Sequence, residues 1–288
     1  MTDHLVGFIG LGNMGKPMAG HVAKSHATIV HDIAGTAERA PTDAHVAASN
    51  AEVAQRAETI VLSLPSVAAN AAVVAEIAGA GGPGLLVIDA CTIGVEAAED
   101  NARRLEAAGM GYVDAPVSGL AVRAQEGTLA TMCSGAAQSV ERARAVIECY
   151  SRVMFRVGEQ PGQGQRMKLV NNALCIAQYV ITSEALAYGE QGGLDLATML
   201  DVINESSGMN FTTSFVFPKY VVTERYGDSG SEAHVPCKDI GLFVAGSQHE
   251  GTPNDVVKAA FEVFKSFADE DPKRDQMWIY PFVKQMAR

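Results

Sequence analysis

The first residues able to do chemistry are glycines. Gly10, Gly12 and Gly15 stand in "GFIGLGNMGKPMA" (Gly7 to Ala19) at the spacing G-x-G-x-x-G. In such a pattern the first glycine permits a tight turn. The second lets the backbone approach a pyrophosphate, and the third lets helix and strand pack closely. The turn Gly10, Leu11, Gly12, Asn13, Met14 and Gly15 would open a helix whose free N–H groups and positive dipole end suit an anion. Asp32 follows 22 residues after Gly10, about where a carboxylate reaches the ribose hydroxyls of an adenosine. A carboxylate there repels a 2′-phosphate and so favours NAD over NADP. The next residue is Ile33 rather than an arginine, and Arg39 is several residues away. NAD is therefore the expected cofactor, with NADP as the second choice.

Such a turn needs a strand before it and a helix after it. "LVGFIG" (Leu5 to Gly10) reads as a buried strand, and a helix is expected from about Met14 to Lys24. "ATIVHD" (Ala27 to Asp32) is the next strand, and "HVAAS" (His45 to Ser49) a short third one. Ser49 or Asn50 would cap a helix through Arg56. "TIVLSLP" (Thr59 to Pro65) follows, then an Ala/Val-rich helix. "LLVIDA", "GYVDAP", "TLATMCSG" and "RVMFRVG" (Arg152 to Gly158) are further strands. Strands alternating with helices imply a mostly parallel sheet covered on both faces. Near residue 158 the character changes. "GEQPGQGQ" (Gly158 to Gln165) is a break, and the stretch from Gln165 to about Gly189 has no strand-like alternation. It predicts a helix of about 37 Å. The expected domains are 1–162, α/β, and 163–288, all-α.

Composition narrows the function. The 288 residues carry a formal net charge of −11 without a Lys/Arg cluster, which argues against nucleic acid as a partner. No apolar run is long enough to span a membrane. The start, MTDHLVGFIG, shows no secretion signal. Cys91, Cys133, Cys149, Cys175 and Cys237 are odd in number, widely spaced and without C-x-x-C. A disulfide framework or a structural zinc is not expected, and reduced thiols in a cytoplasm fit best. The seven histidines form no H-E-x-x-H cluster, so no catalytic metal is expected.

Four motifs together resemble the β-hydroxyacid dehydrogenase family, which includes 3-hydroxyisobutyrate dehydrogenase and tartronate semialdehyde reductase. They are the glycine turn, "DAPVSGLAVRAQEGTLATMCSG" (Asp114 to Gly135), "GQGQRMKLVNN" (Gly162 to Asn172), and the Lys238–Asp239 pair in "CKDIGLFVA". The loops "SLPS" (Ser63 to Ser66) and "DACTIG" (Asp89 to Gly94) fall where that family touches its cofactor. The resemblance implies a Rossmann-type doubly wound sheet, then an all-α domain led by a long inter-domain helix. It also implies hydride transfer between NAD(P) and a short 3-hydroxy acid or the matching semialdehyde.

The resemblance assigns roles. Lys168 would be the general acid/base. A lysine's usual pKa of about 10.4 must then be lowered by desolvation or a nearby cation. Asn172, four residues on, shares its helix face. Its amide would bond the substrate oxygen or hold Lys168 in place. Ser118 and Gly119, with the backbone of Leu120, would receive the substrate carboxylate. Lys238 would lie over the cofactor or the carboxylate, which would put the active site in the cleft between domains. Leu64 and Pro65 would line the cofactor. Thr92 would either contact the nicotinamide end, or it or Gly94 would start the next helix. Dimers or tetramers are expected through the α-domains, and the long helix is expected to pack on several helices at once through Leu169, Val170, Leu174, Ile176, Val180, Ile181 and Leu186.

The chain departs from the family at three places. Leu120 stands where a small residue is usual. Arg123 also replaces a small residue, and is either an exposed arginine at a helix start or a contact for a second anionic group on the substrate. In "SGSEAHVPCKD" a phenylalanine common in the family is absent, and His234 either lines the pocket or is inert. Rival readings are an imine reductase, which usually carries Asp or Tyr in place of Lys168, and a dinucleotide-binding scaffold without chemistry. A 6-phosphogluconate-type enzyme would need a longer α-domain and more basic residues.

Overall fold

The computed structural model describes residues 4–286. The chain divides into two compact units at Lys168/Leu169.

The first unit holds nine strands and six helices ahead of the long helix: β1 (Val6–Ile9), α1 (Gly15–Ala23), β2 (Thr28–His31), β3 (His45–Val46), α2 (Asn50–Arg56), β4 (Thr59–Leu62), α3 (Val67–Ala80), β5 (Leu86–Asp89), α4 (Val95–Ala107), β6 (Gly111–Asp114), β7 (Val117–Ser118), α5 (Leu120–Glu126), β8 (Leu129–Ser134), α6 (Ala137–Ile147) and β9 (Ser151–Gly158). The strand order is β3-β2-β1-β4-β5-β6-β8-β7, with β9 paired to β8. From β3 to β6 every pairing is parallel. β8 runs antiparallel to β6 and β7, and β9 runs parallel to β8.

Residues of one strand alternate between two cores. Val6 and Phe8 of β1 join Val30, Val61, Ile88 and Val113 on one face. Ile9 joins Ile29, Ile60, Leu62 and Val87 on the other. This is why the strands read as unbroken apolar runs: both faces are covered. Gly7 is the exception in β1, because a Cβ there would come 2.5 Å from Val53 of α2. Ser49 and Ser66 cap α2 and α3 by accepting from Glu52 N and Ala69 N. Carboxyl ends of β1, β4, β5 and β6 lie side by side, and the loops leaving them carry the motifs.

The long helix, α7 (Gln163–Gln191), has 29 residues, about 43 Å at 1.5 Å per residue. Its first six residues belong to the first unit. The rest begins the second unit, which continues with α8 (Leu196–Asn204), a π-helical turn (Thr212–Val216), α9 (Phe217–Tyr220), α10 (His234–His249), α11 (Asp255–Glu270), a 3-10 turn (Gln276–Trp278) and α12 (Ile279–Met286). This unit is all-α. Ile176, Tyr179, Val180 and Leu186 of α7 pack with Leu200, Phe217, Phe264, Phe267 and Tyr280.

α7 packs on several helices, as expected, but not through all seven of the apolar residues expected to take part. Leu169, Ile176, Val180 and Leu186 are buried, but Val170, Leu174 and Ile181 are 41%, 60% and 59% exposed. The helix buries one side, not all of them. Among the described residues, no helix is long and apolar enough to cross a membrane.

Candidate active site

The three glycines of the first turn do different things. A Cβ on Gly10, whose φ is +94°, would lie 2.2 Å from the Ser63 carbonyl oxygen, and one on Gly15 would lie 2.0 Å from that of Gly10. These two let β1, the turn and the β4–α3 loop close on one another. Gly12 is exposed and a Cβ there would meet nothing within 4 Å. The bare backbone at Gly12 faces open space, as a diphosphate-binding turn requires. α1 has neither a side-chain cap nor an acidic residue in its first turn, so no carboxylate there opposes an anion at the positive end of its dipole. These features fit a dinucleotide. Gly10, Gly12, Asn13, Met14 and Gly15 would hold its phosphates.

Leu11 acts differently. Its side chain is buried in the core, and its N–H donates to Asp32 Oδ2 at 2.5 Å. Asp32 Oδ1 accepts from Ala34 N at 2.7 Å. Asp32 thus stands at the end of β2 against the glycine turn, its carboxylate oriented by two amides and only partly covered. Remaining lone pairs can accept ribose hydroxyls.

Two buried carboxylates frame the neighbouring loops. Asp89 ends β5 and pairs in register with Asp114, which ends β6. Asp89 Oδ2 accepts from Asn70 Nδ2 at 2.8 Å and from the Tyr112 hydroxyl at 3.1 Å. Its Oδ1 accepts from Cys91 N at 3.1 Å. Asn101 Nδ2 donates to Asn70 Oδ1. Burial pushes the Asp89 carboxyl up, opposed by these bonds. Burial, and then the charge of Asp89, push the Cys91 thiol well above its usual range. The Cys91 sulfur accepts from Leu64 N at 3.1 Å, which ties the loop carrying Leu64 and Pro65 to the loop carrying Thr92.

Gln165, in the first turn of α7, ties the same loop to the helix. Its Oε1 accepts from Ile93 N at 2.8 Å and Gly94 N at 3.2 Å, and its Nε2 donates to Cys91 O at 3.0 Å and to Asp114 Oδ1 at 2.7 Å. Lys168 follows one helical turn later and is only 7% exposed. The helix after this loop begins at Val95 with Gly94 as its cap, φ +88°. Thr92 precedes it, partly covered.

The loop with Ser118 and Gly119 follows the two-residue strand β7. Ser118 is half-buried, and its hydroxyl has no hydrogen-bond partner among the described residues. Gly119 has φ +147°, and a Cβ on it would be 2.8 Å from Cβ and Cδ of Arg123. Leu120 takes φ +61°, a left-handed backbone that costs a non-glycine residue about 1 kcal/mol or more. Arg123 lies inside α5, not at its start, and is half-buried with its stem over Gly119.

In the second unit, Asp239 joins the other candidates. It is 6% exposed, accepts from Asn172 Nδ2 at 2.6 Å, and pairs with Lys238 Nζ at 2.9 Å. Asn171 Nδ2 donates to Asn172 Oδ1 at 3.1 Å. One N–H of the Asn172 amide is thus committed to Asp239. His234 opens α10 and its ring is engaged by Pro272 O at 3.0 Å, beside Glu232.

Two family models match this chain. Residues 5–158 match the NAD binding domain of 6-phosphogluconate dehydrogenase, and residues 162–282 match the NAD-binding domain of NADP-dependent 3-hydroxyisobutyrate dehydrogenase. The chain belongs to the β-hydroxyacid dehydrogenase family. A 3-hydroxyisobutyrate dehydrogenase of Pseudomonas aeruginosa is 32% identical over 96% of this chain and 95% of its own. The 2-(hydroxymethyl)glutarate dehydrogenase of Eubacterium barkeri is 30% identical over 90% and 88%. The 3-hydroxyisobutyrate dehydrogenase of Mycobacterium tuberculosis, solved with L-serine, superposes with a TM-score of 0.88 at 26% identity, covering 99% of both chains. Imine reductases at or below 20% identity share the fold alone. As a β-hydroxyacid dehydrogenase this chain is an NAD(P)-dependent oxidoreductase acting on hydroxy acids.

The polar frame of this dehydrogenase was not singled out in the sequence. Its signal lies in "LLVIDA" and "GYVDAP", where a carboxylate ends an apolar strand. A buried carboxylate needs partners, and Asn70 and Gln165 are the amides that supply them.

Proposed function

We propose that the chain exchanges a hydride between NAD and a short 3-hydroxy acid, or the matching semialdehyde, with Lys168 moving the hydroxyl proton. The observation that carries this reading is the place of Lys168. It is a buried amine, one turn beyond a glutamine bonded at the carboxyl ends of β5 and β6. Ligands of parallel α/β sheets bind outside those strand ends. Alcohol oxidation needs a proton acceptor at the alcohol oxygen, and a buried lysine is suited to that work. When bound, the nicotinamide takes up or supplies the hydride.

Ser118 and the backbone of Gly119 and Leu120 receive the substrate carboxylate. Asn172 and Lys238 keep the binding roles that the family pattern gives them. Gly12 and the first turn of α1 receive the phosphates, Asp32 the adenosine ribose, and Leu64, Pro65 and Thr92 line the cofactor. The carboxylate of Asp32 supports NAD as the preferred form. The odd number and wide spacing of the five cysteines support a reducing, cytoplasmic setting. Val170, Leu174, Ile181 and Tyr188 form an exposed apolar stripe on α7, which supports a homodimer or homotetramer built on that side.

A panel of short 3-hydroxy acids, followed by NADH absorbance with NAD and NADP in parallel, tests the reading. At least one acid is expected to turn over, with kcat/KM for NAD about tenfold or more above that for NADP. Cofactor binding without turnover of any member would overturn it.

A further inference from the structure

An amine on a helix stays where the helix is held, and the start of α7 is held by one carboxylate. Asp114 is fully buried. Its Oδ2 accepts from Gly162 N at 3.1 Å, Gln165 N at 2.8 Å and Ser134 Oγ at 3.2 Å, and its Oδ1 accepts from Gln165 Nε2 at 2.7 Å. Ser134 Oγ in turn accepts from Gly164 N at 2.9 Å. The opening N–H groups of a helix have no partners inside it. Here those of Gly164 and Gln165, and that of Gly162 just before them, end on Asp114 or on the hydroxyl bonded to it. The approach is close because Gly164 lacks a side chain: a Cβ there would lie 2.6 Å from Met132 O and 2.8 Å from Asp114 Oδ2.

We propose that Asp114 is the positioning residue for Lys168: as a carboxylate it fixes the first turn of α7, and with it the amine one turn on. This rests on Lys168 being the acid/base. Gly162, Gln165 N and Gln165 Nε2 can only donate. An ionised Asp114 accepts from all of them. A protonated one gives up an acceptor and must turn its own O–H toward Ser134. Its charge also meets the positive end of the α7 dipole. The titratable groups around it are Asp89 of β5, Tyr112 of β6 and Cys133 of β8, with Cys91 in the loop after β5. Burial pushes Asp114 up to about 6, the bonds from Gln165 oppose it, and the charge of Asp89 adds to it.

Asp114→Asn and Ser134→Ala in the full-length chain test this, read by hydrogen–deuterium exchange, NADH binding and kcat and KM between about pH 5 and about pH 8. In Asp114→Asn, exchange should rise over residues 162–168 while β1 and β4 stay protected. NADH affinity and the hydroxy-acid KM should hold within about threefold while kcat falls about 100-fold, the cost of a misplaced catalytic group. The fall of wild-type kcat below about pH 6 should vanish from its profile. Ser134→Ala keeps the carboxylate, so it should keep that fall, raise exchange at Gly164 and lower kcat about fivefold. Should Asp114→Asn not fold, Ser134→Ala decides. Wild-type exchange over 162–168, or wild-type kcat and pH profile, in the variants would overturn the proposal alone. A wild type without turnover would overturn the functional reading beneath it.

Discussion

The glycine turn separates folding from binding one residue at a time. Gly10 and Gly15 have no room for a Cβ, whereas Gly12 has open space. Gly12→Val should therefore keep the wild-type melting temperature within about 2 °C, since surface substitutions cost little, and should lose NADH binding by about 100-fold or more as the side chain blocks the phosphates. Gly15→Ala should instead lower the melting temperature. Calorimetry and fluorescence titration on both variants check this, and equal NADH binding by Gly12→Val and wild type would contradict it. At this scale much was legible. Glycine spacing revealed the turn and its acid because those residue types have few other reasons to stand there. Asp114, Gln165 and Asn70 stayed hidden because single buried polar residues carry no spacing pattern. Only the fold brings their partners together, Gln165 to Cys91 across 74 positions.

Strands and helices were legible where apolar runs ended in Gly, Pro or a cap. β1, β2, β4, β5 and β6 appear within the expected stretches, and β9 begins one residue earlier, at Ser151. β7 is a two-residue strand, too short to leave a pattern. α7 runs two residues further at each end than the expected 165–189. Its apolar residues lie on more than one side, which reads as packing on several helices at once. The structure leaves Leu174 and Ile181 exposed. If this stripe joins copies of the chain, Leu174→Arg or Ile181→Arg should lower the mass seen by light scattering while the far-UV spectrum stays unchanged. An unaltered mass in both variants would place the association elsewhere.

For the whole molecule, the buried carboxylates give stability an unusual sign with pH. Asp114 is raised from 3.8 to about 6 in the fold, and Asp89 is also raised. A raised group binds its proton more tightly when folded, so its contribution is full below the unfolded value and is lost as pH rises through the folded one. Glu52, Glu190 and Asp195 are lowered, and their contributions are lost only at more acid pH. Thermal melts should show the folded chain holding or gaining stability from about pH 7 to about pH 5, while kcat is expected to fall below about pH 6. Asp114→Asn should flatten that trend, and a wild-type melting temperature that drops steeply over the same range would contradict it. The division into an α/β unit and an all-α unit was legible from the change of pattern near residue 158. The helix that carries Lys168 begins in one unit and continues into the other, which no local pattern marks.

The most direct test is Lys168→Ala, assayed with NAD and a hydroxy acid that the wild type oxidises, beside an NADH titration. With Lys168 as the acid/base, kcat should fall by about 10²–10⁴-fold, the usual contribution of such a group, while NADH affinity stays within about threefold. Turnover by Lys168→Ala at the wild-type rate would contradict it.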